Sequence, residues 1–234
     1  VFEVEDGGQQ VRNTRKRTPP ASNVRLHAHR FILKQAPGLA SLCGSGGQGL
    51  TSLPISDVHP DVFRLILHYL YGGKLSEEEF KSHAKELIDA ANRFGVSTLK
   101  MESEVWYDKL TKIGVDNVME ILLFAHAKES ELLKESALDF IVLNGDNVLE
   151  NASMKDVPGD LFADLLSAMT REKKRHTSKQ GRDSLSTMRI NNLRAKAHAE
   201  GLSFEGSRKE LIGALEEKAR AEYAAACAAL SRRR

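Results

Sequence analysis

His27 and His29, two residues apart in HAHR, could hold a metal ion if they lay on one strand, because alternate strand residues point the same way. Such a site needs further ligands, and no other His or Cys stands nearby at a ligand spacing. Cys43 and Cys227 are far apart and form no CxxC pair. Two isolated thiols suit a reducing compartment. Asp57, in the acidic turn after LPIS, could act as a general base only beside a Ser, Cys or His placed to form a triad, and the sequence offers none. It reads instead as the acidic residue of a turn. No P-loop, GxSxG, HExxH or dinucleotide fingerprint occurs. The expectation is a protein with no enzymatic chemistry, no metal and no cofactor, acting through its surfaces.

Charge is the other chemical resource. The formal net charge is only +2, but residues 1–170 carry 18 Lys/Arg against 24 Asp/Glu, whereas residues 171–234 carry 16 against 8. An acidic first part (−6) joined to a basic tail (+8) points to modules with different partners. Arg15-Lys16-Arg17 and Lys173-Lys174-Arg175 are short basic runs, readable as nuclear import signals or as solvated loops. The second is the better import candidate, since a linker would leave it accessible. No apolar run approaches the ~20 residues that span a bilayer, and no charged-then-apolar leader opens the chain. The sequence begins at Val1, already inside an alternating VFEVE pattern, and reads as a piece truncated at its N-terminus.

A length of 234 residues with 41% hydrophobic side chains fits one or two globular domains. Phe2 and Val4 alternate with Glu3 and Glu5 as in a half-buried strand. A polar insert over 9–23 leads to a return strand at Val24 and Leu26, and GSGGQG (44–49) is a loop. Leu53–Ile55 is a further strand. Pro60 then opens a helix at the position that tolerates it, and Phe63, Ile66, Leu67 and Leu70 follow at the spacing of a buried face. Gly72 and Gly73 close that helix. Helical periodicity resumes at Glu78 and continues through Leu87, Ile88, Ala91, Phe94, Leu99, Val105, Trp106 and Leu110. Between 116 and 169 the apolar residues fall into helical pairs: Val118, Ile121, Leu122, Ala125; Leu132, Leu133, Ala137, Phe140, Ile141; then Val148, Leu149, Leu161, Leu165 and Leu166. Residues 170–183 show no apolar period and read as a basic linker. Beyond it, Leu185, Met188, Leu193, Leu202, Leu211, Ile212 and Leu215 suggest a separate helix–loop–helix, with Gly201 ending its first helix and Ser207 capping its second.

The segments VRLHAHRFIL and LPISDVHPDVFRLILHYLYGG together resemble a BTB/POZ domain, and 115–157 resembles the helices that follow this fold in MATH–BTB (speckle-type POZ) ubiquitin-ligase adaptors. The tail resembles a SAP domain. The implied fold class is α+β: a BTB/POZ domain over 1–113, a BACK-like helical extension over 114–169, a basic linker over 170–183, an all-α SAP domain over 184–220 and an Ala-rich helical tail over 221–234. The resemblance implies a dimer seam, with His29, Leu33, Leu39 and Leu42 as candidates. It also implies a groove for a cullin-3-type scaffold, with Phe63, His68, Tyr69 and Tyr71 as candidates, Tyr69 being the better surface residue and Phe63 the one the core also claims. In this family a hydrophobic-x-Glu loop strengthens the cullin contact; here LCGSGGQGLTS has no Glu. The tail resemblance implies DNA or RNA binding through Arg189, Arg194, Ser207, Arg208 and Lys209, since helix N-termini and cations attract phosphate.

The resulting expectation is a dimeric, nuclear substrate adaptor of a cullin-3-type ubiquitin ligase, with a cytoplasmic pool allowed and no membrane partner. The alternative is a BTB-dimerised chromatin or transcription protein with no ligase role.

Overall fold

The structure is a computed structural model that describes residues 2–4, 24–43, 53–151, 158–177 and 184–231. The insert at 9–23, the loop at 44–49 and the terminal arginines lie outside the described residues. Two compact units divide at Thr111–Lys112. The described residues are mostly helical, with a single three-stranded sheet.

In the first unit, β1 (Phe2–Val4) is central. It pairs antiparallel with β2 (Val24–Leu26), Phe2 opposite Leu26, and parallel with β3 (Leu53–Ile55), Phe2 opposite Leu53. Two short helices, α1 (Arg30–Leu33) and α2 (Pro37–Leu42), follow β2. Asp57 then adopts φ 62° in an exposed turn, a conformation that Asp tolerates better than most residues. Next comes α3 (Pro60–Leu70), with Pro60 in its first turn and Val62, Phe63, Ile66, Leu67 and Leu70 buried.

Helix α4 (Glu77–Phe94) starts at a capping box: the Glu79 amide donates to the Ser76 hydroxyl, and the Ser76 amide donates to the Glu79 carboxylate at 2.6 Å. The hydrogen bond from the Ser76 amide, helped by the Ser76 hydroxyl, holds the Glu79 carboxyl below its ordinary pKa. Gly95 ends α4 at φ 73°, where the Val96 amide reaches the Ala91 carbonyl. Helix α5 (Ser97–Leu110) returns against α4. The core is sealed where α2 meets the end of α4: a Cβ on Gly38 would lie 2.6 Å from the Arg93 carbonyl oxygen, so only glycine allows that approach.

The second unit contains α6 (Val118–Ala127), α7 (Glu131–Leu143), α8 (Gly145–Asn151) and α9 (Gly159–Thr177), followed by α10 (Ile190–Ala199) and α11 (Arg208–Ser231). Val118, Ile121 and Leu122 of α6 pack with Ala137, Leu138 and Ile141 of α7 and with Leu161 and Ala168 of α9. Three expectations are corrected here. First, 170–177 is not linker: α9 continues through it, and Arg171 is buried. The inner face of α9 runs Leu161, Leu165, Ala168, Arg171, and an arginine in the last place hid the period. Second, Leu166 lies roughly 100° away from Leu165 around the helix and is exposed. Third, the tail is not a separate unit. Leu132 of α7 shares a core with Ile190, Leu193, Ala197, Leu211 and Leu215, and the whole stretch from Lys112 forms one compact body. Within it, α11 runs unbroken past 220 to Ser231.

Candidate functional site

In the first unit, the C-terminal turn of α3, the start of α4 and the middle of α5 enclose an open groove of about 690 Å³, with Tyr69, Leu75, Phe80, Val105 and Trp106 among its walls. Phe80 stacks on Trp106 with ring centroids 5.6 Å apart, and the Lys109 ammonium sits 4.4 Å from the Trp106 ring centre on the same helix. Val105 is 45% exposed. The Tyr69 hydroxyl donates to a Glu102 carboxylate oxygen at 3.1 Å. Burial raises the Tyr69 pKa; a hydrogen bond with Thr98 opposes the rise and the Glu102 charge adds to it, so the phenol stays a neutral donor. An aromatic wall with the Glu102 carboxylate and two lysines, Lys74 and Lys109, at its edge suits a docked peptide or helix. It has no nucleophile–base pair.

The four residues expected at a cullin groove separate on inspection. Phe63 is fully buried and packs edge-on against Phe94 at 5.5 Å, so it belongs to the core. His68 is exposed and leans on Gly73, where an added Cβ would lie 2.3 Å from its Nε2. Tyr69 lines the groove. Tyr71 is half exposed, and its hydroxyl lies 2.7 Å from both the His29 amide nitrogen, which donates to it, and His29 Nδ1.

Among the residues expected at a dimer seam, Leu33 and Leu39 are buried in the core of this unit and are not available as surface. Each is the buried residue of its short helix. His29 and Leu42 are exposed, Leu42 at 44%. Phe31, which the sequence reading passed over, is 78% exposed and is the most open large apolar side chain among the described residues. Its signal was legible: in RFIL, Leu33 faces inward, so Phe31 on a helix of one turn cannot also do so. His27 is exposed too, and among the described residues no three His, Cys, Asp or Glu side chains stand where they could hold a metal.

In the second unit the chemistry lies in a buried ion cluster. Glu135 and Asp139 occupy one face of α7, one turn apart. Asp139 accepts from Arg171 at 2.8 Å and pairs with Arg189 at 3.3 Å. Glu135 accepts from Arg208 at 2.9 Å and from the Ile190 backbone N–H at 2.8 Å, so it also neutralises the N-terminus of α10. Arg208 donates further to the Ser186 carbonyl at 3.2 Å and to the Met188 carbonyl.

Two of the arginines assigned to nucleic acid are thus already engaged: Arg208 is largely enclosed, whereas Arg189 stays more than half exposed. Ser207 belongs to a capping box with Glu210, whose carboxylate accepts from the Ser207 amide at 2.7 Å and is held below its usual pKa chiefly by that bond. Arg194 is half-buried, and Lys209 is exposed. Sequence reasoning missed Glu135, Asp139 and Arg171. The available signal was a pair of acids at i and i+4, each sharing the apolar face of Leu132, which demands buried cations opposite.

Residues 20–111 match the BTB/POZ domain family, and this stretch of the chain is a BTB/POZ domain, a protein-interaction fold. Mouse (Mus musculus) TD and POZ domain-containing protein 1 is 31% identical over 108 residues, covering 46% of this chain and 29% of that protein. TD and POZ domain-containing protein 5 of the same species is 32% identical over 104 residues, 44% of this chain and 30% of the relative. TD and POZ domain-containing protein 4 is 34% identical over 95 residues, 40% and 25% respectively. The matches therefore span less than a third of the length of these curated relatives.

Proposed function

We propose that this protein is a non-enzymatic, dimeric interaction adaptor that recruits a cullin-3-type scaffold, in the manner of MATH–BTB adaptors. The observation that carries the reading is a BTB/POZ domain at 20–111 followed directly by an all-helical unit. The aromatic groove at Tyr69, Val105 and Trp106, with His68 and Tyr71 beside it, is the docking surface on the first unit. Binding of the intact chain to the purified cullin N-terminal domain, measured by calorimetry, tests this directly.

Dimerisation is assigned to the exposed apolar residues Phe31 and Leu42, with His29 alongside. A two-fold contact uses one patch twice, so a single charge introduced there is doubled in effect. Phe31→Asp is expected to convert the dimer to a monomer in light scattering while its circular dichroism stays that of the parent. A parent that is already monomeric at micromolar concentration would remove this part of the reading.

The tail is proposed to be a SAP-type module that contacts DNA or RNA in the nucleus. Its support is the +8 charge of residues 171–234. The Glu135–Arg208 pair takes Arg208 out of the candidate contacts and leaves Lys209, Arg189, Arg194 and the basic residues around 173. Lys209→Ala is expected to lower the log–log salt slope of duplex binding by about 0.9, the value of one phosphate contact. Arg208→Ala should lower the melting temperature of the second unit instead. Unchanged salt slopes in Lys209→Ala and in Lys173→Ala would count against the nucleic-acid role. The chromatin-protein alternative shares the dimer and the tail and differs by showing no cullin binding.

A further inference from the structure

Arg171 is the most enclosed cation of the ion cluster, only 7% exposed. Its terminal nitrogen meets Asp139, yet its Nε–H, also buried, has no hydrogen-bond partner among the described residues. A buried guanidinium donor without an acceptor is a position that native structures ordinarily fill. The same side chain lines a recess of about 360 Å³ between α9 and the start of the tail, together with Arg208, Ser167, Thr170 and Ser186. Arg171 and Arg208 thus bring two guanidiniums to the recess, held from α7 by Asp139 and Glu135 respectively.

We propose that this recess binds a terminal phosphoryl group, as carried by a phosphorylated side chain. A tetrahedral phosphate monoester presents three acceptor oxygens, enough to meet guanidinium N–H groups and hydroxyls at once, and charge-assisted bonds to arginine are the strong ones. Thr170 and Ser167 lie on the same face of α9 as Arg171, and their hydroxyls now donate to the Leu166 and Ala163 carbonyls one turn back. Those bonds are local to the helix and can be exchanged for the ligand. A recess favours a group offered end-on. A phosphodiester backbone carries its charges along a continuous strand and fits a flat basic surface better. This site is independent of the cullin and SAP readings.

The test uses the full chain, with O-phosphoserine titrated at constant ionic strength against chloride and unfolding followed by far-ultraviolet circular dichroism. A ligand bound only by the folded state raises the melting temperature with the logarithm of its concentration once above Kd. The expected result is such a rise with O-phosphoserine and its loss in Thr170→Glu, which sets a carboxylate at the mouth of the recess on an exposed helical position. Ser167→Glu, one turn earlier, gives the same readout should the first variant fold poorly. No rise beyond the chloride control overturns the proposal, as does a rise that persists undiminished in either variant. A rise produced by a duplex oligonucleotide but not by O-phosphoserine also overturns it, and assigns the recess to a phosphodiester contact.

Discussion

Asp139→Ala is expected to destabilise the second unit by about 3–5 kcal/mol, the effect of removing one partner from a buried ion pair. Asp139 accepts from Arg171, and both are more than nine-tenths buried. Without Asp139 the Arg171 guanidinium stays enclosed, left with only a weak approach to Glu135 at 4.0 Å. Two probes isolate the effect. Trp106 is the single tryptophan of the chain and lies in the first unit, so its fluorescence reports that unit alone. Helical circular dichroism reports both. The variant should lose part of the dichroism signal at lower urea, while the fluorescence transition stays where it was. The double variant Asp139→Ala with Arg171→Leu should recover much of the loss, because no charge is then stranded. Coincident movement of both transitions in Asp139→Ala would contradict the division into units.

Phe63→Ala should show the complementary pattern. Phe63 is fully buried against Phe94 in the centre of the first unit, and truncating such a phenylalanine costs about 3–5 kcal/mol in lost burial and cavity. The fluorescence midpoint should fall sharply while the share of the dichroism transition belonging to the second unit remains. Partner binding should disappear in proportion to the unfolded fraction. A folded Phe63→Ala protein that has lost only its affinity would return Phe63 to the interaction surface, where the sequence reading had also allowed it.

Period and punctuation made much of this fold legible. Pro60 and the spacing of Phe63, Ile66, Leu67 and Leu70 act within a few residues, so a linear reading captures them; the Ser76/Glu79 cap is equally local but went unread. The docking of the tail was not legible, because it rests on residues 73 and 55 apart: Glu135 with Arg208 and with the Ile190 amide. Arg171 shows why. An arginine on the inner face of α9 erases the apolar period that would have extended the helix beyond 169, although the helix itself continues to Thr177. The split among Leu33, Leu39 and Leu42 was hidden for a related reason. Helices of four and six residues are too short for a periodic pattern to separate inside from outside.

The adaptor reading, carried by the BTB/POZ domain and the helical unit after it, puts its docking surface at the aromatic groove, and one calorimetric comparison tests it: the intact chain and its Val105→Asp variant, each titrated with the purified N-terminal domain of a cullin-3-type scaffold. Val105 is half exposed on α5 beside Trp106, so the variant keeps the core and places a charge in the docking surface. The expected result is saturable binding by the parent, and at least about tenfold weaker binding by the variant, equivalent to about 1.4 kcal/mol. No binding by the intact chain, or equal binding by both proteins, would contradict the account.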